Sequence, residues 1–172
     1  MRRISAQMAM VVSAVAVSAA FLSAPLLAID VRSSKDAVRV DDAQVVTTIT
    51  GARLNDILQA SGFAGGEVDD DGGVLIRIAS KPVYFTVGDD QESIQAHTAW
   101  TTDDTTRPSA DKMNDWNRTK RYSKVYFDGD RDPVLQLDLD LAGGVTVARI
   151  KDFALTTQVS ITRFTAEVLK KS

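Results

Sequence analysis

The chain has 172 residues, a one-domain length, with 44% hydrophobic and 25% charged residues, a mix ordinary for a globular protein. Its net charge of −3 argues against a nucleic-acid binder, which needs a basic stripe to displace counterions from phosphates. With no cysteine, disulfides, thiolate metal sites, cysteine nucleophiles and a lipid anchor on a cysteine are all excluded.

Arg2 and Arg3 precede an uncharged apolar run from Met8 to Ala28. A positive start, an apolar stretch and a small-residue end follow the order of a secretory signal. Residues 1–28 are therefore expected to be a cleaved signal peptide, and the mature protein to be periplasmic or secreted. Pro25 stops the apolar helix, Ala28 suits the position before the cut, and Ser18-Ala19-Ala20 is an alternative processing point. A run of about twenty apolar residues can also span a bilayer. Here Ser13, Ser18, Ser23 and Pro25 dilute it, so membrane attachment is expected only if the signal stays uncleaved.

Residues 29–49 read as an N-terminal arm, polar from Ile29 to Thr47 with scattered valines: loose, or at most a short edge strand. The domain is expected over 50–172. Thr50 or Thr48 caps a helix with Leu54, Ile57 and Leu58 on one face, and Gly62-Phe63 ends it. Val68, the turn 69–73 and Val74–Ile78 form a hairpin. Pro82 opens a third strand, Val83–Val87. Residues 93–101 form the fourth, with Ile94, Ala96, Thr98 and Trp100 alternating inward. Ser109 caps a second helix with Met113 and Trp116 inside. Residues 124–127 and 134–141 then bracket an acidic turn, with Leu135, Leu137, Leu139 and Leu141 facing in and Gln136, Asp138 and Asp140 facing water. After Gly143-Gly144, Thr146 caps a last helix running to about Leu169. Its buried stripe is Ile150, Phe153, Ala154, Thr157, Ile161, Phe164 and Val168. The order is α-β-β-β-β-α-β-β-α. Hairpin-length links make it an α+β fold, an antiparallel sheet with flanking helices.

Several segments together resemble a known family: Met113–Arg118 with Lys120-Arg121-Tyr122, Lys124–Asp128, Asp132–Leu135, and Asp140-Leu141-Ala142-Gly143-Gly144-Val145. With Leu58–Phe63 and the Asp-Gly turn at 71–72, they look like the YbjN family, described as bacterial sensory transduction regulators. The resemblance covers roughly residues 50–170. It implies a twisted antiparallel sheet with flanking helices similar to type III secretion chaperones, a fold that often dimerises and holds extended segments of a partner. The signal peptide departs from a family mostly thought of as cytoplasmic.

Candidate chemistry is sparse. His97, the single histidine, lacks the sequence context of a catalytic triad and reads as a surface or half-buried strand residue. Asp128-x-Asp130-x-Asp132 opens like a calcium loop, but Pro133 replaces the turn glycine and Leu139 the bidentate glutamate, so it reads as an acidic turn. Trp116, Arg118, Arg121 and Lys124 are the candidate partner-binding residues, as an aromatic anchor beside the one basic cluster. Against that, Trp116 fits a core position, Asn117 and Arg118 could tie the helix to the next strand, and the cations suit a helix C-terminus. No catalytic residue, metal site or cofactor is expected. The reading is an exported, non-catalytic binding module of the YbjN type, engaging a protein partner in a chaperone-like or regulatory role, with homodimerisation compatible. The alternatives are an envelope structural or stress protein held by its N-terminal helix, and an envelope hydrolase.

Overall fold

The computed structural model describes residues 40–169. The expected signal peptide, and the arm up to residue 39, lie outside them. Among the described residues there are eight strands and three helices. They are β1 (Val45–Val46), α1 (Gly51–Ala60), β2 (Glu67–Val68), β3 (Val74–Ile78), β4 (Lys81–Val87), β5 (Ser93–Ala99), α2 (Ala110–Thr119), β6 (Lys124–Phe127), β7 (Pro133–Asp140), β8 (Val145–Thr146) and α3 (Val147–Phe164). A π-helical turn, Thr165–Leu169, prolongs α3. Strands β2 to β7 form one six-stranded sheet in the order β2-β3-β4-β5-β7-β6. Every neighbouring pair in it is antiparallel.

The helices start and stop where the sequence indicates. Thr50, Ser109 and Thr146 each accept a hydrogen bond from the backbone N–H three residues on, satisfying a donor that a helix start leaves unpaired. At the end of α1, Gly62 takes φ +89° and donates to the Gln59 carbonyl while Phe63 donates to Leu58, a pattern that only a left-handed residue permits. At its start, Gly51 lies so close to the Gly72 carbonyl that a β-carbon there would sit 2.1 Å from the oxygen.

The inner sheet face carries Val74, Ile76, Ile78, Val83, Phe85, Ile94, Ala96, Leu135, Leu137 and Leu139, all buried. Helices α1 and α3 supply the other half of the core, and every residue of the expected α3 stripe is buried. Phe85 meets Phe153 edge-on at 6.3 Å. Phe164, fully buried, lies between Trp100 at 4.9 Å and Trp116 at 5.2 Å.

Two expectations need correction, and a third, left between two readings, is decided. Strand β4 starts at Lys81, after a two-residue turn in which Ala79 and Ser80 both have positive φ. Pro82 is tolerated inside the strand because the β4–β5 ladder ends at Tyr84–His97, leaving no partner for an N–H on that side. Gln136 does not face water: it is 6% exposed. Tyr126 donates to its Oε1 at 3.2 Å and its Nε2 donates to Asp138 at 2.9 Å, so long neighbours on the outer face cover and satisfy it. Of the two readings of the arm, the described part is the short strand: β1 pairs with β8, apart from the main sheet. The carbonyls of Gln44 and Asp42 accept from Val147 and Ala148 in the first turn of α3, and Asp42 pairs with Lys151 at 2.6 Å.

At each outer edge of the sheet an asparagine binds one backbone position, just before β2 and within β6. Asn55 of α1 accepts from the Gly66 N–H at 2.9 Å and donates to its carbonyl at 3.2 Å. Asn117 of α2 does the same to Val125 in β6, at 2.8 and 2.9 Å. Each carboxamide imitates the next strand, which blunts an edge otherwise open to pairing.

Candidate functional site

Where α2 ends, the chain turns back towards β6 through Lys120–Ser123. Lys120 leaves the helix in extended conformation, and Tyr122 takes φ +67°, an uncommon value for a bulky residue. Ser123 accepts a hydrogen bond from the Trp116 indole at 3.1 Å, fixing the loop against the core. Lys120 lies 5.5 Å above the Trp116 ring and pairs with Glu167 at 2.5 Å, tying α2 to the π-helical turn.

Between this loop and the outer face of α3 runs a groove of about 450 Å³. Trp116 borders it with Thr119, Arg121 and Tyr122 on the loop side; Asp152, Leu155, Val159 and Arg163 line the α3 side. Tyr122, Leu155 and Val159 are large apolar side chains left 73%, 46% and 52% exposed. Arg121 and Arg163 are exposed cations that pair with no carboxylate among the described residues, whereas Asp152 is held by Arg149 at 3.0 Å. The groove therefore offers an apolar wall with unpaired positive charge beside it. That arrangement suits an amphipathic chain carrying carboxylates.

The four sequence candidates separate. Trp116 and Arg121 border the groove, Trp116 being a core residue only 3% exposed. Arg118 pairs with Asp115, one helical turn back, and does not tie α2 to β6; Asn117 alone does that. Lys124 lies on the outer sheet face, 3.6 Å from Asp138. Tyr122, Leu155, Val159 and Arg163 were not singled out. Their signal is nonetheless in the sequence, since Leu155 and Val159 are large aliphatics spaced i, i+4 and off the buried stripe of α3.

Outside the groove, several titratable groups are engaged or shifted by their own surroundings. His97 is half-buried, its ring 5.5 Å from Tyr84 and edge-on, and burial lowers its pKa. Its Nδ1 has no hydrogen-bond partner among the described residues. Tyr84 donates to Asp69, which holds the Asp69 carboxyl below the usual range and raises the phenol. The hydroxyls and N–H groups of Thr105 and Thr106 bring Asp103 down to about 2. Asp128 accepts from the N–H groups of Asp130 and Asp132, and Asp132 accepts from Thr102, so one carboxylate of the acidic turn is engaged by its own loop and one by the segment after β5. Among the described residues, no three His, Asp or Glu side chains gather as a metal would require, and no helix is long and apolar enough to cross a membrane.

Comparison with known proteins places this architecture. Residues 50–169 match the YbjN family, described as "Putative bacterial sensory transduction regulator". The chain belongs to the YbjN family. Similar solved structures include YbjN from E. coli, 16% identical with TM-score 0.58, a match covering 75% of this chain and 100% of that one. They also include the HopA1–SchA chaperone–effector complex (11%, TM-score 0.45, 64% and 87%). The type III secretion chaperone SycH of Yersinia pestis, in complex with a stable fragment of YscM2, is a further neighbour (14%, TM-score 0.44, 64% and 98%). No curated protein matches in sequence. Both the family and the α+β fold expected from the sequence are thus borne out.

Proposed function

We propose that this YbjN-family chain is an exported, non-catalytic binding module, periplasmic or secreted, that engages a protein partner in a regulatory or chaperone-like role. The observation that carries the reading is the groove between the 119–123 loop and α3. Three large apolar side chains stand exposed there beside two unpaired arginines. Apolar anchors beside arginines are the usual composition of protein-recognition surfaces. The family description supports a regulatory role. Export rests on the order of charge and apolarity in residues 1–28.

A photo-crosslinking amino acid at Val159, compared with one at Asp130 on the far acidic turn, tests the site in cells. The expected result is an adduct with another protein from position 159 that disappears in an Arg121→Glu/Arg163→Glu background. Equal labelling from both positions overturns the groove as the contact. Cell fractionation with N-terminal sequencing tests export, with Ile29 as the expected first residue; a cytoplasmic chain that keeps Met1 overturns it.

A further inference from the structure

The groove beside α3 is lined with donors left without acceptors among the described residues. Ser160 lies on its wall only 7% exposed, and its hydroxyl makes no hydrogen bond to any of them. Thr156, one turn earlier on the same wall, is likewise unbonded through its side chain. Ser123 accepts from the Trp116 indole, and its own hydroxyl proton has no acceptor. Arg121 and Arg163 complete the set, and a guanidinium can only donate. The one carboxylate of the lining, Asp152, is held by Arg149. Hydroxyls turn to suit either kind of partner, but beside two guanidinia they turn towards an acceptor. What complements this groove is an anion.

Its shape says which one. A volume of about 450 Å³ is that of a small-ligand site, with room for a few residues and not for a long segment. Lys120, bonded to Glu167 and lying over the Trp116 ring, separates it from a second hollow of about 410 Å³. Both hollows are bordered by Trp116, Thr119 and Lys120, so that bridge shuts one end of the groove. Along α3 towards the shut end come Leu155, then Val159 and Ser160, then Arg163, with Glu167 of the bridge four residues on. The wall is thus apolar where a chain enters and rich in donors where it must stop.

We propose that this groove takes the C-terminus of the partner polypeptide, its α-carboxylate at the shut end on Ser160, Arg163 and Arg121, and its last apolar side chains along Leu155 and Val159. This rests on reading the groove as a protein contact, and adds which part of the partner is held. An aspartate or glutamate in mid-chain brings a backbone that has to leave on both sides, and the Lys120–Glu167 bridge blocks one of them. A terminal carboxylate brings its charge where the chain need not continue, and it is a recurring handle in peptide recognition. Guanidinium matches its two oxygens with two parallel N–H groups, which a lysine could not do.

Affinity selection on the purified protein tests this, with a library of hexapeptides randomised at the last three positions and offered once as free acids and once as C-terminal amides. The free acids should be enriched, with aliphatic or aromatic final residues. A selected peptide should bind with a dissociation constant on the order of 10–100 µM by fluorescence anisotropy. Amidating it should weaken binding about tenfold or more, through loss of the charge-assisted bonds. Arg121→Gln/Arg163→Gln should weaken the free acid by a similar factor and leave the amide unchanged. Ser160→Ala should weaken the free acid about threefold or more, with Tm within about 2 °C of the parent, because that hydroxyl holds nothing in the fold. Acids and amides bound alike, or neither bound, overturn the proposal. So does a free acid whose affinity neither the arginine pair nor Ser160 alters. Those failures leave the protein-contact reading standing as long as Val159 still crosslinks to another protein in cells; loss of that adduct as well removes the reading itself.

Discussion

Replacing Asn117 with alanine removes an exposed side chain, yet the domain should lose about 2 kcal/mol. The carboxamide makes two hydrogen bonds, 2.8 and 2.9 Å, to both backbone groups of Val125, a residue only 3% exposed. Each bond contributes about 1 kcal/mol net, and each backbone group left without a partner costs about 1–3 kcal/mol unless water reaches it. Asn117 itself is exposed, so water can reach part of the gap, and alanine's better helix propensity returns about 0.5 kcal/mol. With these terms combined, a fall of about 2 kcal/mol corresponds to about 6–8 °C in Tm for a domain of this size. Urea unfolding followed by tryptophan fluorescence measures it. An Asn117→Ala protein within about 0.5 kcal/mol of the parent would refute the argument that this amide replaces a missing strand. Asn117→Asp gives the sharper contrast, since it still accepts from the Val125 N–H but presents a carboxylate to the Val125 carbonyl. It should be at least as unstable as Asn117→Ala at pH 7 and recover as the pH drops towards 3.

Phe164→Ala should cost about 3–5 kcal/mol in the same assay, because it opens a cavity between Trp100 and Trp116; a loss under about 1.5 kcal/mol would mean that the two indoles collapse into the space. Gly51→Ala should destabilise by about 1–3 kcal/mol despite alanine's helix propensity, since its β-carbon meets the backbone of the Gly72 turn; a stabilised variant would show that the turn moves freely. Burial lowers the pKa of His97 in the folded state, so the unfolded chain takes up the proton first as the pH falls below about 6.5. Stability from this residue is therefore complete above that pH and declines below it, until the folded form protonates too. Urea unfolding at pH 7.5 and 5.5 should show that decline in the parent and a smaller one in His97→Gln; equal declines would locate the proton uptake elsewhere.

The fold was legible wherever one periodicity dominated. The alternation Leu135-Gln136-Leu137-Asp138-Leu139 and the α3 stripe report burial directly, because a residue on the wrong face of a sheet or helix would carry apolar surface into water. Asn117 as a tie to the next strand was legible too, from its place between a buried tryptophan and a strand. Gln136 was not, because its burial depends on Tyr126 and Asp138, whose reach across the outer face no local pattern encodes. The pairing of β1 with β8 was equally hidden. It joins residues a hundred positions apart over only two residues a side, too few to leave an alternation.

The candidate site was only partly legible, for a different reason. Arg118, Arg121 and Lys124 are neighbours in sequence, but a helix end followed by a turn sends them to three surfaces, and only Arg121 reaches the groove. What gathers there comes from α3, thirty residues further on. Once the stripe from Ile150 to Val168 has filled the inward face of that helix, Leu155 and Val159 have no core left to enter. A large aliphatic pair held in water at i, i+4 is unfavourable in the isolated domain by its unburied area, about 25 cal/mol for each Å². Arg121 and Arg163 keep such a patch soluble while it is bare, and become specific contacts once a carboxylate arrives with the covering chain. An isolated monomer uses neither property. A surface that a second chain covers uses both.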